Sequence, residues 1–327
     1  MDKTSTPTTL TRRRLNPQIL QQFGVFIALI ALSVFFSIAS KGRFSSPDNL
    51  LTVARQVSMT VIVGIGMTFI MITGNIDLAV GSYIALSGIF LANTILFGVP
   101  WWIAIILTMV ALGLVQFLVG TTIAKQKLTS LIVTLAMLSI ARGVALSWAG
   151  GKPVYIENLD FLKIGNGYVG PIPVPVIIAG CALILAQFVL RKTRYGRYVF
   201  AVGGNEEAAR AAGINTDWIK ISVFILAGFL TALAGSIMAG RLFSGSPVAG
   251  QGFELDVIAS VVIGGTSLNG GAGSLVGTLI GAFMVGAINN GLTILGVDYY
   301  YQLMAKGLII YIAILIDRST KVVRGRG

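Results

Sequence analysis

The chain has 327 residues, of which 55% are hydrophobic and 11% charged, with a mean hydropathy of +0.86. A soluble protein carries about a quarter charged residues, so that class is excluded and the composition reads as all-α, a polytopic transmembrane helical bundle. The net charge of +12 is spread over loops rather than gathered on one face, which argues for membrane topology and against a nucleic-acid partner. A single cysteine, Cys181, gives no disulfide framework. Without histidine, histidine-based metal sites and Ser-His-Asp chemistry are ruled out, and no metal site is expected.

Residues 1–18 read as a cytoplasmic tail carrying Arg12, Arg13 and Arg14. The apolar run behind it, 19–40, exceeds the roughly 7–15 residues of a signal-peptide core and is read as a retained signal anchor. Runs matching a span of about 20 residues follow at 52–72, 79–98, 101–123 and 129–149, then at 172–190, 218–240, 254–268, 274–295 and 299–316. Turn-forming clusters at 45–49, 98–100, 150–153 and 269–271 separate them. The reading is about ten spans in a transmembrane domain at 19–317, the eighth short and broken by glycine, with a C-terminal tail at 318–327. An N-terminus in the cytoplasm puts sixteen Lys and Arg residues inside and six outside, with Arg142 and Lys306 within spans. Both termini are then cytoplasmic. Gly74–Val80 and Phe253–Ala259 each precede a small-residue apolar segment. They fit either an inverted repeat of two halves or a coincidence of short matches.

The polar island at 191–217 is the longest cytoplasmic loop, and within it lies a small helix with a start and a stop. Asn205 suits the N-cap, Glu206 and Glu207 favour the positive end, and Gly213 suits a left-handed C′ position. About seven residues are too few for a helix to persist alone in water, so something else must hold it. The alanine-rich body allows close approach, which makes it a docking peg.

Here the chain resembles a known family. Glu207-Ala208-Ala209-x-x-x-Gly213 is similar to the coupling-helix signature of ABC-importer permeases, and the surrounding Gly203-Gly204-Asn205-Glu206-x-Ala208-Ala209-Arg210-x-x-Gly213-Ile214 looks like the branch that carries monosaccharides. Gly74–Ser82, Glu254-Leu255-Asp256 and the glycine-rich Gly264–Gly273 resemble further segments of that branch, and the likeness extends over about 20–317. Asn75 departs from it, standing where the family more often has glycine. The resemblance implies a multi-pass permease of the bacterial inner membrane, surrounded by lipid and paired with a second copy of itself. It also implies a cytoplasmic ABC ATPase, fused or as two chains, and a periplasmic sugar-binding protein. ATP would be bound by the ATPase, with no cofactor in this chain and no enzymatic chemistry. Asn205, Glu206, Glu207, Ala208, Ala209 and Gly213 would couple to the ATPase, with Ala208 and Ala209 seated in its groove.

Other positions carry two readings each. Asp77 is either the N-cap of the third helix or a functional intramembrane carboxylate; in both it marks a helix break, as do Gly264 and Gly265. A glycine run without a following Gly-Lys-Ser/Thr is a weak phosphate signal, and a re-entrant or broken helix is favoured. Asn289, Asn290 and Thr293, with Gln302, serve either interhelical hydrogen bonds or a polar lining for a sugar path. The outer loop at 150–171, with Lys152 and Lys163, is expected to help dock the binding protein, Arg241 contributing from a neighbouring loop. The alternatives to a ribose-like sugar are a sister permease for nucleosides, autoinducer-type furanoses or branched-chain amino acids. An ion-coupled transporter would need more interior charges than these, and a membrane enzyme a reactive cluster that does not recur.

Overall fold

A computed structural model describes residues 17–298, 300–308 and 311, with side chains from residue 23 onward. The expected tails lie outside these residues, except for residues 17 and 18, which open the first helix. Five helices come first: α1 (Pro17–Ala39), α2 (Pro47–Ile72), α3 (Val80–Leu96), α4 (Trp101–Lys125) and α5 (Ser130–Trp148). An outer segment follows with β1 (Val154–Tyr155), α6 (Leu159–Asn166), β2 (Tyr168–Val169) and β3 (Ile172–Pro173). Next come α7 (Val174–Lys192), α8 (Arg194–Gly204), α9 (Glu206–Ala211), α10 (Thr216–Leu242), β4 (Ser244–Gly245), α11 (Phe253–Ile263) and α12 (Leu275–Ile294). Residues 300–308 are helical as well, inside the expected tenth run.

Nine of the ten expected runs coincide with helices. Six of these, α2, α4, α5, α7, α10 and α12, are long and apolar enough to cross a membrane, while α3 has 17 residues. The chain is a polytopic helical membrane protein. The eighth run is short and broken by glycine, as expected: α11 has 11 residues and stops at Ile263, too short to span alone. Gly264 closes it and Gly265, at φ +88°, turns the chain in the left-handed region, which glycine adopts without a Cβ penalty. The outer segment at 150–171 is not a bare loop. Asn158 caps α6 by accepting from the Phe161 amide at 3.0 Å, and β1 pairs with β4 behind α10.

Helix α2 is the axis of the bundle. Every residue from Val57 to Ile72 is buried, as expected of a helix that is apolar all round, and α10, α12, α7 and α11 surround it. By contrast α5 and α7 are mostly exposed, at 22% and 17% buried, and face lipid. Lipid tails supply no hydrophobic drive between helices, so close contact of small residues must do it. Gly66 lies against Ala227, and a Cβ at Gly281 would stand 2.0 Å from the Ser260 carbonyl oxygen. A hydrogen bond of 2.7 Å between Thr68 and Thr278 adds a polar tie between α2 and α12.

Candidate functional site

The polar island folds as two helices rather than one. Thr193 caps α8 by accepting from the Gly196 amide at 3.3 Å. The buried side of α8 carries Val199 and Val202, with Tyr195 hydrogen-bonded to Ser222 of α10 at 2.9 Å. The glycine- and arginine-rich composition of this stretch hides the helix; the spacing of Tyr195, Val199 and Val202 is the signal that reveals it.

Helix α9 follows at once. The Asn205 side chain accepts from the Ala208 amide at 2.9 Å, and Glu206 and Glu207 occupy the first turn. At the far end Gly213 has φ +83°, and Ile214 donates to the Ala209 carbonyl at 3.0 Å. Six residues would not persist alone; α10 holds them. Arg210 bridges Asp217 at 2.7 Å and Glu206 at 3.3 Å, and Lys220 reaches Glu206 at 2.5 Å. Partial burial would push the Glu206 carboxyl up, but hydrogen bonding and charge from Lys220, with Arg210 and Thr216, outweigh this and hold it below the ordinary carboxylate range.

One coupling residue changes role. Ala209 is 5% exposed and packs into the permease's own core, because α9 lies flat on the bundle and turns that face inward. It cannot enter a partner's groove. The outward face is formed by Glu207, Ala208, Ala211 and Ala212.

The end of α8 is a backbone junction. A Cβ at Gly203 would stand 1.6 Å from the Ile72 carbonyl oxygen and 2.8 Å from the Gly271 nitrogen. Gly271 in turn donates to that same Ile72 carbonyl at 2.9 Å. The end of α8 thus touches both the α2–α3 break and the turn between α11 and α12. Beside it opens a cavity of about 600 Å³, lined by Asn75, Lys127, Ser130, Glu206, Arg210 and Lys220 among others.

Asp77 lies in the α2–α3 break, fully buried. The cap position of α3 is Ala79, not Asp77. Asp77 instead accepts from the Ala79 amide at 2.9 Å, a local turn bond, and from Gln116 of α4 at 2.5 Å. Its repeat counterpart is placed differently: Asp256 sits inside α11.

Of the three polar residues on α12, Asn289 and Thr293 line a cavity of about 250 Å³ with Gln56, Thr60, Asp256, Gln302 and Lys306. Asn290 borders it too, but is committed to a reciprocal amide pair with Asn49 at 2.9 Å. Lys306, which the sequence places within a span, forms an ion pair with Asp256 at 3.0 Å. Arg142 donates to the Pro247 and Ala249 carbonyls at 2.8 Å each.

In the outer segment Lys152 and Lys163 are both exposed, Lys163 carrying a surface ion pair with Asp160 at 2.8 Å. Arg241 is half-buried at the end of α10. Sequence reasoning passed over Arg55, which donates to the Tyr168 hydroxyl and lies 5.0 Å from its ring centre. Its standing as one of the six cations counted on the outer side was the available signal.

A bundle of membrane helices thus presents an ion-paired helix at one end. Residues 49–314 match the permease component of the branched-chain amino acid transport system, and the chain belongs to that family. It is 43% identical to the ribose import permease protein RbsC of Bacillus subtilis (strain 168), covering 92% of this chain and 94% of that one. Likeness to the ribose import permease protein RbsC of Escherichia coli (strain K12) is 41%, over 96% and 99%. The xylose transport system permease protein XylH of Haemophilus influenzae is 34% identical, over 92% and 97%. The chain is therefore a multi-pass inner-membrane permease component and not an enzyme.

Proposed function

We propose that this chain is the membrane-spanning subunit of an ATP-driven importer that carries a ribose-like monosaccharide across the bacterial inner membrane. The observation that carries this reading is the near full-length likeness to ribose import permeases. The family description names branched-chain amino acids, but relatives matched over nine-tenths of the chain are named for ribose, xylose and allose, which favours sugar.

In this reading ATP is bound by a cytoplasmic ATPase, two permease copies form the path, and a periplasmic binding protein delivers the sugar. The outward face of α9 meets the ATPase. ATP-driven closure of the ATPase moves residues 205–213, and α8 carries the movement through Gly203 to both glycine-rich breaks. Rocking of the two copies then opens the path to each side in turn. Asp77, Gly264 and Gly265 serve as the helix breaks that permit it. Arg55 and Arg241 join Lys152 as the basic face for the binding protein, tuning association rate and salt dependence. Ten crossings with both ends inside complete the arrangement, the eighth made by α11 together with the glycine-rich turn behind it.

The test is reconstitution with the ATPase and binding protein in vesicles. Ribose uptake that requires ATP and resists ionophores is expected. Uptake abolished by ionophores would instead assign an ion-coupled transporter.

A further inference from the structure

The cavity of about 600 Å³ beside α9 holds two residues whose settings the reading above leaves unexplained. Asn75 is 8% exposed, and its amide nitrogen is committed to Thr73, donating to the carbonyl at 3.2 Å and to the hydroxyl at 3.1 Å. A carbonyl only accepts, so this pairing fixes the amide and leaves its oxygen pointing away. The oxygen has no hydrogen-bond partner among the described residues and keeps accessible surface. Asn75 lines the cavity, so a fixed, free acceptor opens into it. Lys127, on the turn between α4 and α5, lines it too, exposed and at φ +54°. A residue with a Cβ enters that left-handed region at a cost, and such conformations collect at functional sites.

The chemistry of the occupant follows from the charges on the wall, which are Lys127, Glu206, Glu207, Arg210 and Lys220. Glu206, Arg210 and Lys220, together with Asp217, neutralise one another. Glu207 and Lys127 have no ion pair among the described residues, and they stand on different elements, α9 and the α4–α5 turn. An inorganic anion would answer Lys127 alone, and a metal cation Glu207 alone. A protein segment that carries both signs answers both and can also donate to Asn75, and the space admits several side chains. Glu207 belongs to the outward face of α9 as well. The cavity is therefore continuous with the face that meets the ATPase, which makes the ATPase the source of that segment.

We propose that this cavity is a second docking point for the ATPase, taking a surface segment that points an arginine or lysine at the Asn75 oxygen and Glu207 and a carboxylate at Lys127. The inference rests on the importer reading above. It gives the ATPase a contact on the α2–α3 break and the α4–α5 turn, outside α9.

The experiment measures the dissociation constant between permease in nanodiscs and the ATPase of the same importer, at low and high salt. The melting temperature of each permease variant is measured in parallel. Lys127→Gly removes the cation and relieves the left-handed strain. Its melting temperature should hold or rise while association weakens about threefold at low salt and less at high salt. Asn75→Gly removes the acceptor and should weaken association about tenfold, the loss of one hydrogen bond to a charged group. Asn75→Asp keeps the acceptor and adds a negative charge, so association should match wild type or tighten. Wild-type affinity in both glycine variants, or losses that simply track a fall in melting temperature, would overturn the docking point and leave the contact through α9 intact. Weakening by Asn75→Asp equal to that by Asn75→Gly would overturn it as well. Wild-type permease that binds no ATPase would remove the importer reading, and this inference with it.

Discussion

Ala208 and Ala209 are neighbours in sequence with opposite surroundings, and single substitutions should separate them. Ala209→Leu forces a larger side chain into the permease core, an overpacking cost of about 1–3 kcal/mol, and should lower the melting temperature of the isolated permease. Ala208→Leu projects outward from α9 and should leave that melting temperature unchanged while weakening ATPase association in pull-down. Reversed results would put α9 the other way round. Glu206 supplies a pH prediction. Its carboxyl is held below the ordinary value of 4.5, so its contribution to holding α9 is fully present above that value and is lost as pH falls through the folded-state value below it. Hydrogen exchange at the α9 amides should therefore accelerate below about pH 4.5 in wild type. Glu206→Gln should show faster exchange already at neutral pH and lose most of that pH dependence.

At the scale of elements, the proposed transmission runs through the junction of α8 with the two breaks. A Cβ at Gly203 meets backbone rather than a flexible side chain, so Gly203→Ala must shift α8 away from Ile72 and Gly271. Ribose uptake should then be lost with the ATPase still bound and hydrolysing; uptake at the wild-type rate would show that force travels elsewhere. Gly213→Val acts differently. No atom lies in the way of its side chain, but φ +83° makes a β-branched residue a strained one, costing about 1–3 kcal/mol. The C-terminal end of α9 should fray, with weaker ATPase association and little change in the melting temperature of the bundle.

At the scale of the whole molecule, charge bias and the helix count give a testable topology with α8 and α9 in the cytoplasm. Cys181, the one native cysteine, is exposed on α7, so the experiment uses a Cys181→Ser background. A cysteine introduced at Asn205 should resist an impermeant thiol reagent in intact spheroplasts and react once the membrane is opened. Labelling in intact spheroplasts would invert the map.

The membrane class, nine helix positions and the caps of α9 are local properties, and the sequence by itself determined them. Long apolar runs have one stable solution in lipid, where every backbone group must be satisfied internally, and Asn205 and Gly213 act within a few residues of themselves. The ion pairing of Lys306 and the buried face of Ala209 were decided by tertiary structure, since each depends on segments far along the chain. Lys306 finds Asp256 fifty residues away, and Asp77 meets Gln116 across thirty-nine. The packing at the end of α11 was decided the same way. Gly264 and Gly265 mark its end in the sequence, but the close approach of the Gly264 and Gly277 backbones does not show there, because hydropathy carries no record of a contact between segments.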